Sequence, residues 1–206
     1  MAIKYCIWDV GNVVYRYSLD PLARWIEETS PVKPGKPLFD FRPYMLGKIT
    51  TAEMMQQLCR QYEIDFSGLV EKRLFGLFWE GISEYHAETR RVQEILKENG
   101  IINCLLSNAL PILCGSSRTS DIIRPQYVFT SYDLGLLKPD LLIYREVLRK
   151  LNATPQETAF VDDKAANVKA AETIGIQGII FAPATIAADI KALTGIRKLQ
   201  QQNVSA

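Results

Sequence analysis

Residues 3–12 read IKYCIWDVGN, an apolar run that ends in an acidic residue, Asp9, and a small one, Gly11. Four later apolar runs have a similar short length and are bounded by turn or polar residues; they are 101–106, 127–131, 158–161 and 177–181. Short apolar runs that are rich in branched side chains are typical of buried strands. The sequence therefore predicts a buried strand at each of these runs.

Apolar residues at helical spacing lie between the later runs. One such stretch contains Val92 and ends at Gly100, a second contains Val147, and a third contains Val168 and ends at Gly175. Glycine is the residue that most often follows the last turn of a helix. Strands and helices thus alternate along the chain, and this predicts an α/β fold with a parallel sheet and crossover helices.

The stretch 15–90 breaks this alternation, because it reads as several helices with no convincing buried strand. It contains a breaker-rich loop at 31–37, and a capping box from Thr50 to Glu53 that opens an amphipathic helix. We therefore expect a helical insertion at 15–90 within a core formed by 1–14 and 91–196. Residues 197–206 are predicted to be a flexible tail.

Composition excludes several classes of protein. The 206 residues are 48% hydrophobic and 23% charged, which is typical of a globular chain with a real core. Lys and Arg number 24 against 23 Asp and Glu, so there is no excess positive charge for nucleic-acid binding. No apolar run reaches the roughly 18 residues of a membrane span, and the N-terminus lacks a signal-peptide pattern. We expect a cytoplasmic protein with no membrane partner.

Histidine and cysteine usage narrows the chemistry further. His86 is the only histidine, which excludes sites that need two imidazoles. The four cysteines show no metal-ligand spacing, and we interpret them as reduced thiols.

Polar side chains follow the predicted strands where each strand ends. Ligands bind outside the carboxyl ends of the strands in an open parallel sheet, so these residues form a candidate site. They are Asp9 and Gly11 after the first run, Ser107 and Asn108 after the second, Lys138 after the third, and Asp162, Asp163 and Asn167 after the fourth.

This set of residues suits attack on a phosphoryl group. A carboxylate approaching a phosphate dianion meets a repulsion of roughly 8 kcal/mol at 4 Å and an effective dielectric of about 20. A magnesium ion held by Asp9 and Asp163 would offset that repulsion, and Lys138 would add a fixed positive charge. The Gly11 carbonyl is a further candidate metal ligand, and Ser107 with the Asn108 amide would hold a phosphate oxygen.

Each residue alone also has an ordinary structural interpretation. Strand-end Asp and Ser-Asn pairs are common turn and cap residues, and Lys138-Pro139 is a common helix start. The adjacent acids Asp162 and Asp163 are different, because like charges at a strand end need a cation or fixed dipoles nearby.

The four segments, in this order, resemble motifs one to four of the haloacid dehalogenase superfamily. The Asp-x-Gly-Asn first motif and Asp-Asp-x-x-x-Asn fourth motif are similar to a subgroup that includes sugar-phosphate phosphatases. The resemblance implies a Rossmann-like core with a helical cap inserted after the first strand. It also implies roles for the matching residues: Asp9 as the nucleophile that forms an aspartyl-phosphate, Ser107 and Lys138 as phosphoryl binders, Asp163 as the metal ligand, Asp162 as an alternative ligand or a group behind the ligands, and Asn167 as an orienting group.

One position departs from the family pattern. Most phosphatases of the superfamily carry an acid two residues after the nucleophile as general acid and base, and this chain has Gly11 there. We therefore expect a magnesium-dependent phosphatase for a small phosphate ester, such as a sugar phosphate, that is slow on simple alkyl esters. Two alternatives stay open: a catalytically weak or silent binding or regulatory protein, and a haloacid dehalogenase that uses Asp9 without a metal. The sequence does not indicate an oligomeric state.

Overall fold

The computed structural model describes residues 2–114 and 127–200. Its strands are β1 (Tyr5–Trp8), β2 (Tyr15–Tyr17), β3 (Ile82–Tyr85), β4 (Ile102–Ser107), β5 (Tyr127–Thr130), β6 (Thr158–Asp162) and β7 (Gln177–Ile180). Five of them form a parallel sheet in the order β5-β4-β1-β6-β7. The predicted α/β fold with a parallel sheet is confirmed, and each predicted apolar run supplies one of its strands.

The helices are α1 (Asp20–Thr29), α2 (Arg42–Met45), α3 (Thr51–Gln61), α4 (Gly68–Glu80), α5 (Ala87–Glu98), α6 (Ser131–Leu134), α7 (Leu141–Leu151), α8 (Ala165–Glu172) and α9 (Ile186–Thr194). Helices α5 and α9 cover one face of the sheet, α7 and α8 cover the other, and α1 to α4 lie in the insertion 15–90. Alternate residues of β1 point to opposite faces, so Trp8 packs in one apolar cluster with α5 and α9, and Ile7 in another with α7 and α8. Among the described residues, no helix is long and apolar enough to cross a membrane.

The insertion after β1 has an apolar cluster of its own. Helices α1, α3 and α4 bury Leu22, Met54 and Phe78 against one another. Helix α3 begins at the predicted capping box, in which Thr50 and Glu53 exchange hydrogen bonds between side chain and backbone. Because this cluster also takes in Leu110 and Ile112 from the segment after β4, the insertion is packed onto the core rather than tethered to it.

The insertion differs from the expectation at its two ends. The stretch 15–90 is predicted to form several helices with no convincing buried strand, and the structure adds two short, partly exposed strands, β2 and β3, which pair as an antiparallel ribbon that brings its ends together. These strands have three and four residues and are partly exposed, so they lack the apolar run that marks a buried strand.

The C-terminal segment also differs from the expected flexible tail over its first four residues. Arg197–Gln200 form a 3-10 turn, Leu199 is buried in the cluster of α5 and α9, and Lys198 pairs with Glu98. A single apolar side chain anchors this turn, which no periodicity in the sequence could indicate. Residues 201–206 of that prediction lie outside the described residues.

Candidate active site

The sheet brings the carboxyl ends of three strands together. Trp8, the last residue of β1, is in register with Leu105 of β4 on one side and Val161 of β6 on the other. Asp9, Ser107 and Asp162 follow these positions directly or two residues later. The predicted site residues therefore lie at one edge because parallel pairing aligns the strand ends.

The Lys138 side chain lies between Asp9 and Asp162 at this edge of the sheet. Its Nζ donates to Asp9 Oδ1 at 2.6 Å, to Asp162 Oδ2 at 2.7 Å and to the Leu106 carbonyl at 2.9 Å, and its side chain is only 1% exposed. An ammonium group has three hydrogens, and all three are engaged by these protein acceptors. In this state Lys138 has no free N–H to offer a ligand, and what it supplies at this edge is a fixed positive charge and the orientation of Asp9.

Burial controls the ionisation of Asp9. Loss of solvent raises the pKa of Asp9 above its ordinary value of 3.8, and the nearby Asp162 charge raises it further, while the charge and hydrogen bond of Lys138 lower it. The lysine thus offsets part of the cost of keeping a buried carboxylate ionised, which is the form that can attack an electrophile.

Asp162 is held on both of its oxygens. Oδ1 accepts from the Lys164 backbone N–H at 2.9 Å, Asn167 Nδ2 bridges both oxygens at 3.0 and 2.9 Å, and Oδ2 accepts from Lys138. The side chain is fully buried. Because its lone pairs are occupied, Asp162 is better placed to fix Lys138 than to serve as the alternative metal ligand that the sequence suggested. Asn167 in turn orients Asp162.

Asp163 has an oxygen without a protein partner. Its Oδ1 is buried and accepts no hydrogen bond within residues 2–114 and 127–200. Burial, followed by the charge of Asp162, raises its pKa above 3.8. One carboxylate oxygen from each of Asp9, Asp162 and Asp163 lies within 4.8 Å of the others. A buried carboxylate oxygen next to a second carboxylate fits a divalent cation, for which oxygen ligands of this kind are preferred.

The loop after Asp9 does not require glycine at position 11. A Cβ built at Gly11 would meet no atom of the described residues within 4 Å, and Gly11 does not have a positive φ. Asn12 is the residue that turns the chain: its φ is 61°, its N–H donates to the Tyr15 carbonyl, and its Oδ1 accepts from the Tyr17 N–H. The first atom of a side chain at position 11 would therefore meet no described neighbour.

The side chain of Asn108 contacts Lys138. Its Nδ2 donates to the Lys138 carbonyl and its Oδ1 accepts from the Lys138 N–H, both at 2.9 Å. That the Asn108 amide holds a phosphate oxygen with Ser107 stays a prediction. The carboxamide is therefore used within the protein, because the Lys138 backbone passes beside the end of β4. Ser107 ends β4 and is half-buried beside Thr130 of β5.

Sequence reasoning missed Ser131. This residue is fully buried at the start of α6, accepts from the Ala109 N–H at 3.1 Å and donates to the Met45 carbonyl of the insertion at 2.6 Å. A signal existed, since Ser131 follows the β5 strand in the way that Asp9 and Ser107 stand at the ends of theirs.

Comparisons with known proteins agree on one family. The model of the family described as haloacid dehalogenase-like hydrolase matches residues 3–175. The bifunctional epoxide hydrolase 2 of Sus scrofa is 27% identical over 231 residues, which cover 97% of this chain and 40% of that enzyme. The chain spans well under half of the length of the curated relatives that it matches first.

Solved structures share the fold at low identity. A HAD family enzyme from Bacteroides thetaiotaomicron, an Asp-to-Ala mutant crystallised with magnesium and inorganic phosphate, has a TM-score of 0.73 and 20% identity, covering 88% of this chain and 95% of that one. An L-2-haloacid dehalogenase has a TM-score of 0.60 and 17% identity, covering 85% and 82%. The neighbours thus include both a phosphate-binding enzyme and a dehalogenase.

Proposed function

Because the chain belongs to the haloacid dehalogenase-like hydrolase family, we propose that it is a magnesium-dependent phosphatase of a small phosphate ester, with Asp9 as the nucleophile. The observation that carries this proposal is a lysine-bound carboxylate, Asp9, close to an Asp163 oxygen that is buried and has no hydrogen-bond partner among the described residues. A nucleophile next to a cation site suits an anionic electrophile.

Asp9, oriented by Lys138, attacks the phosphorus atom of the substrate. Lys138 holds Asp9 Oδ1, so the other carboxylate oxygen, Oδ2, is the atom that attacks phosphorus. The P–O bond to the leaving group breaks as the O–P bond to Asp9 forms, and the leaving oxygen departs with the bonding electron pair. Water then attacks phosphorus, and the P–O bond to Asp9 breaks with its electron pair returning to the carboxylate, which regenerates Asp9. One water proton stays on the released phosphate, and the other goes to solvent and balances the proton that the leaving oxygen takes up.

A magnesium ion would be held by Asp9, Asp163 and the Gly11 carbonyl, leaving positions for water and a phosphate oxygen. When bound, it supplies positive charge against the repulsion between the Asp9 carboxylate and the phosphate, roughly 8 kcal/mol at 4 Å and a dielectric of about 20. Ser107 is the residue we assign to hold a phosphate oxygen, since it ends β4 at the same edge.

Gly11 defines the class of substrate. General acid and base help is worth about 10²–10⁴ in rate, and position 11 has no side chain to provide it. Leaving groups that need little protonation, such as aryl, acyl or anomeric sugar phosphates, lose least from this absence. We therefore propose an activated phosphate ester as the substrate.

Dehalogenation is the second candidate, and a structural neighbour of that activity favours it. In that reaction Asp9 would attack carbon and displace halide without a metal. The half-buried Asp163 argues against it. Its Oδ1 has no hydrogen-bond partner among the described residues, and the neighbouring Asp162 charge raises its pKa, a cost that a bound cation offsets and a reaction without metal does not.

The test is release of phosphate from para-nitrophenyl phosphate, acetyl phosphate and a panel of sugar 1-phosphates, with and without magnesium, beside release of halide from L-2-haloacids. We expect phosphate release that requires magnesium and no halide release. Halide release without magnesium, and no phosphate from any ester, would contradict the proposal.

Magnesium is also expected to stabilise the folded protein through Asp163. A ligand that binds only the folded state at a hundred times its Kd stabilises it by about 2.7 kcal/mol. Thermal melts with increasing magnesium should show a rising Tm for the wild type and little change for Asp163→Asn. An equal rise in both proteins would place the ion elsewhere.

A further inference from the structure

The Asn108 carboxamide makes two hydrogen bonds to the backbone of a single residue, Lys138. Its Oδ1 accepts from the Lys138 N–H and its Nδ2 donates to the Lys138 carbonyl, at 2.9 Å each, although the two residues are 30 positions apart. A two-point contact fixes the orientation of a backbone segment as well as its distance. The Lys138 main chain, from which the Nζ reaches Asp9 and Asp162, is thus positioned by Asn108.

The next residue connects to the inserted cap, residues 15–90. Ala109 N–H donates to Ser131 Oγ at 3.1 Å, and Ser131 Oγ donates to the Met45 carbonyl at 2.6 Å. The hydroxyl is fully buried, so water does not compete for these bonds. One dipeptide, 108–109, therefore contacts the catalytic lysine on one side and, through a single hydroxyl, the cap on the other.

Two further contacts hold the cap against this region. A Cβ built at Gly47, which has a φ of +68°, would lie 3.0 Å from the Tyr132 carbonyl, so the cap turn after α2 abuts α6 closely. Leu110, which follows the dipeptide, is buried in the apolar cluster of the cap. Movement of α2 would therefore be transmitted to residues 108–110.

We propose that Asn108 is a positioning residue that acts through Lys138 and not through phosphate, and that Ser131 couples the seating of the cap to it. The proposal rests on the proposed phosphatase function. It assigns the carboxamide to holding Lys138 and leaves the phosphoryl group to Ser107 and the cation site. A misplacement of about 1 Å in a catalytic group can cost on the order of 10²-fold in rate.

Asn108→Ala tests whether Asn108 acts by positioning Lys138. On para-nitrophenyl phosphate we expect kcat to fall by about 10- to 100-fold, while KM and the inhibition constant of inorganic phosphate change by less than about threefold. We expect kcat and phosphate affinity to respond differently because all three Lys138 hydrogens contact protein atoms. Phosphate therefore takes no hydrogen bond from the lysine that Asn108 positions. A rise in the phosphate inhibition constant comparable with the loss in kcat would show that Asn108 binds phosphate, and would overturn the assignment.

A double-variant cycle tests whether Ser131 couples the cap to Asn108. Ser131→Ala should lower kcat severalfold alone but add little in the Asn108→Ala background, because its link to Lys138 is then already lost. Losses that multiply would overturn the coupling. The control is Ser30→Ala, which removes hydrogen bonds to Val32 and Tyr62 inside the cap and should leave kcat within about twofold of the wild type.

These outcomes can be separated from failure of the proposed function. A wild type that hydrolyses no phosphate ester contradicts the phosphatase proposal itself. Urea unfolding of the same four proteins then measures the coupling between Asn108 and Ser131 without turnover. A non-additive effect supports the connection through 108–109, and an additive one overturns it.

Discussion

Asp9→Asn should reduce magnesium-dependent phosphate release by about 10⁴-fold or more, since loss of a covalent nucleophile costs on the order of 10⁴–10⁶ in comparable hydrolases. The amide cannot form the acyl phosphate. Lys138 keeps its bonds to Asp162 and to the Leu106 carbonyl, so the site should stay folded around it. Steady-state release from acetyl phosphate measures the effect, and a thermal melt confirms folding.

Asp140→Asn is the matched control. It makes the same carboxylate-to-amide change in the same loop as Lys138, but within the described residues the Asp140 side chain accepts a hydrogen bond only from the Leu142 N–H at the start of α7. Asparagine caps helices about as well as aspartate, so the activity should persist. Equal activity of Asp9→Asn and Asp140→Asn would exclude Asp9 as the nucleophile.

Gly11→Asp should raise the rate on an unactivated alkyl phosphate by about 10²-fold or more, because it restores a group that can protonate the leaving oxygen and deprotonate water. A Cβ at position 11 would meet no atom of the described residues within 4 Å, and the φ of Gly11 is not positive, so the backbone accepts the substitution. On para-nitrophenyl phosphate the gain should be much smaller, since that leaving group needs little protonation. The ratio of kcat/KM on the two esters measures the change.

Gly11→Asn separates proton transfer from bulk. It has the same shape as the Asp variant and cannot exchange a proton at neutral pH, so the ratio should stay at its wild-type value. An equal gain in both variants would assign the effect to filling the space. A wild type that hydrolyses alkyl and aryl phosphates equally fast would contradict the role given to Gly11.

A binding protein without catalytic activity is the remaining alternative. Gly11 favours it, because this position has no side chain that could act as general acid and base. Such a protein would bind magnesium and phosphate with no turnover in either the wild type or Gly11→Asp. Against it, Asp9, Lys138 and Asp163 are all present, and Asp163 Oδ1 is buried with no hydrogen-bond partner among the described residues, a cost that a protein without chemistry has no reason to keep.

Part of this architecture could be predicted from the sequence. The five core strands are short apolar runs, and parallel pairing then gathers the polar residues at their ends, so Asp9, Ser107 and Asp163 could be grouped in advance. The ribbon β2–β3 could not, because strands of three and four half-exposed residues carry no apolar signature.

The side-chain assignments within the site were less predictable. Asn108 was matched with Ser107 because the two are adjacent, yet its contact is with Lys138, 30 residues away. Ser131 was read only as the end of an apolar run, although its hydroxyl joins core and cap. Both contacts depend on how loops meet after folding, which neither periodicity nor spacing encodes.

The most direct test of the account is to quench the wild type with acid while it turns over acetyl phosphate in the presence of magnesium. Mass spectrometry of its peptides then shows which of them carries a phosphoryl group. The account predicts a phosphoryl group on the peptide that contains Asp9. Because no side chain at position 11 activates water, this aspartyl-phosphate should accumulate, and it should disappear in Asp9→Asn. Phosphate release at the full rate with no phosphoryl group on that peptide would contradict covalent catalysis by Asp9.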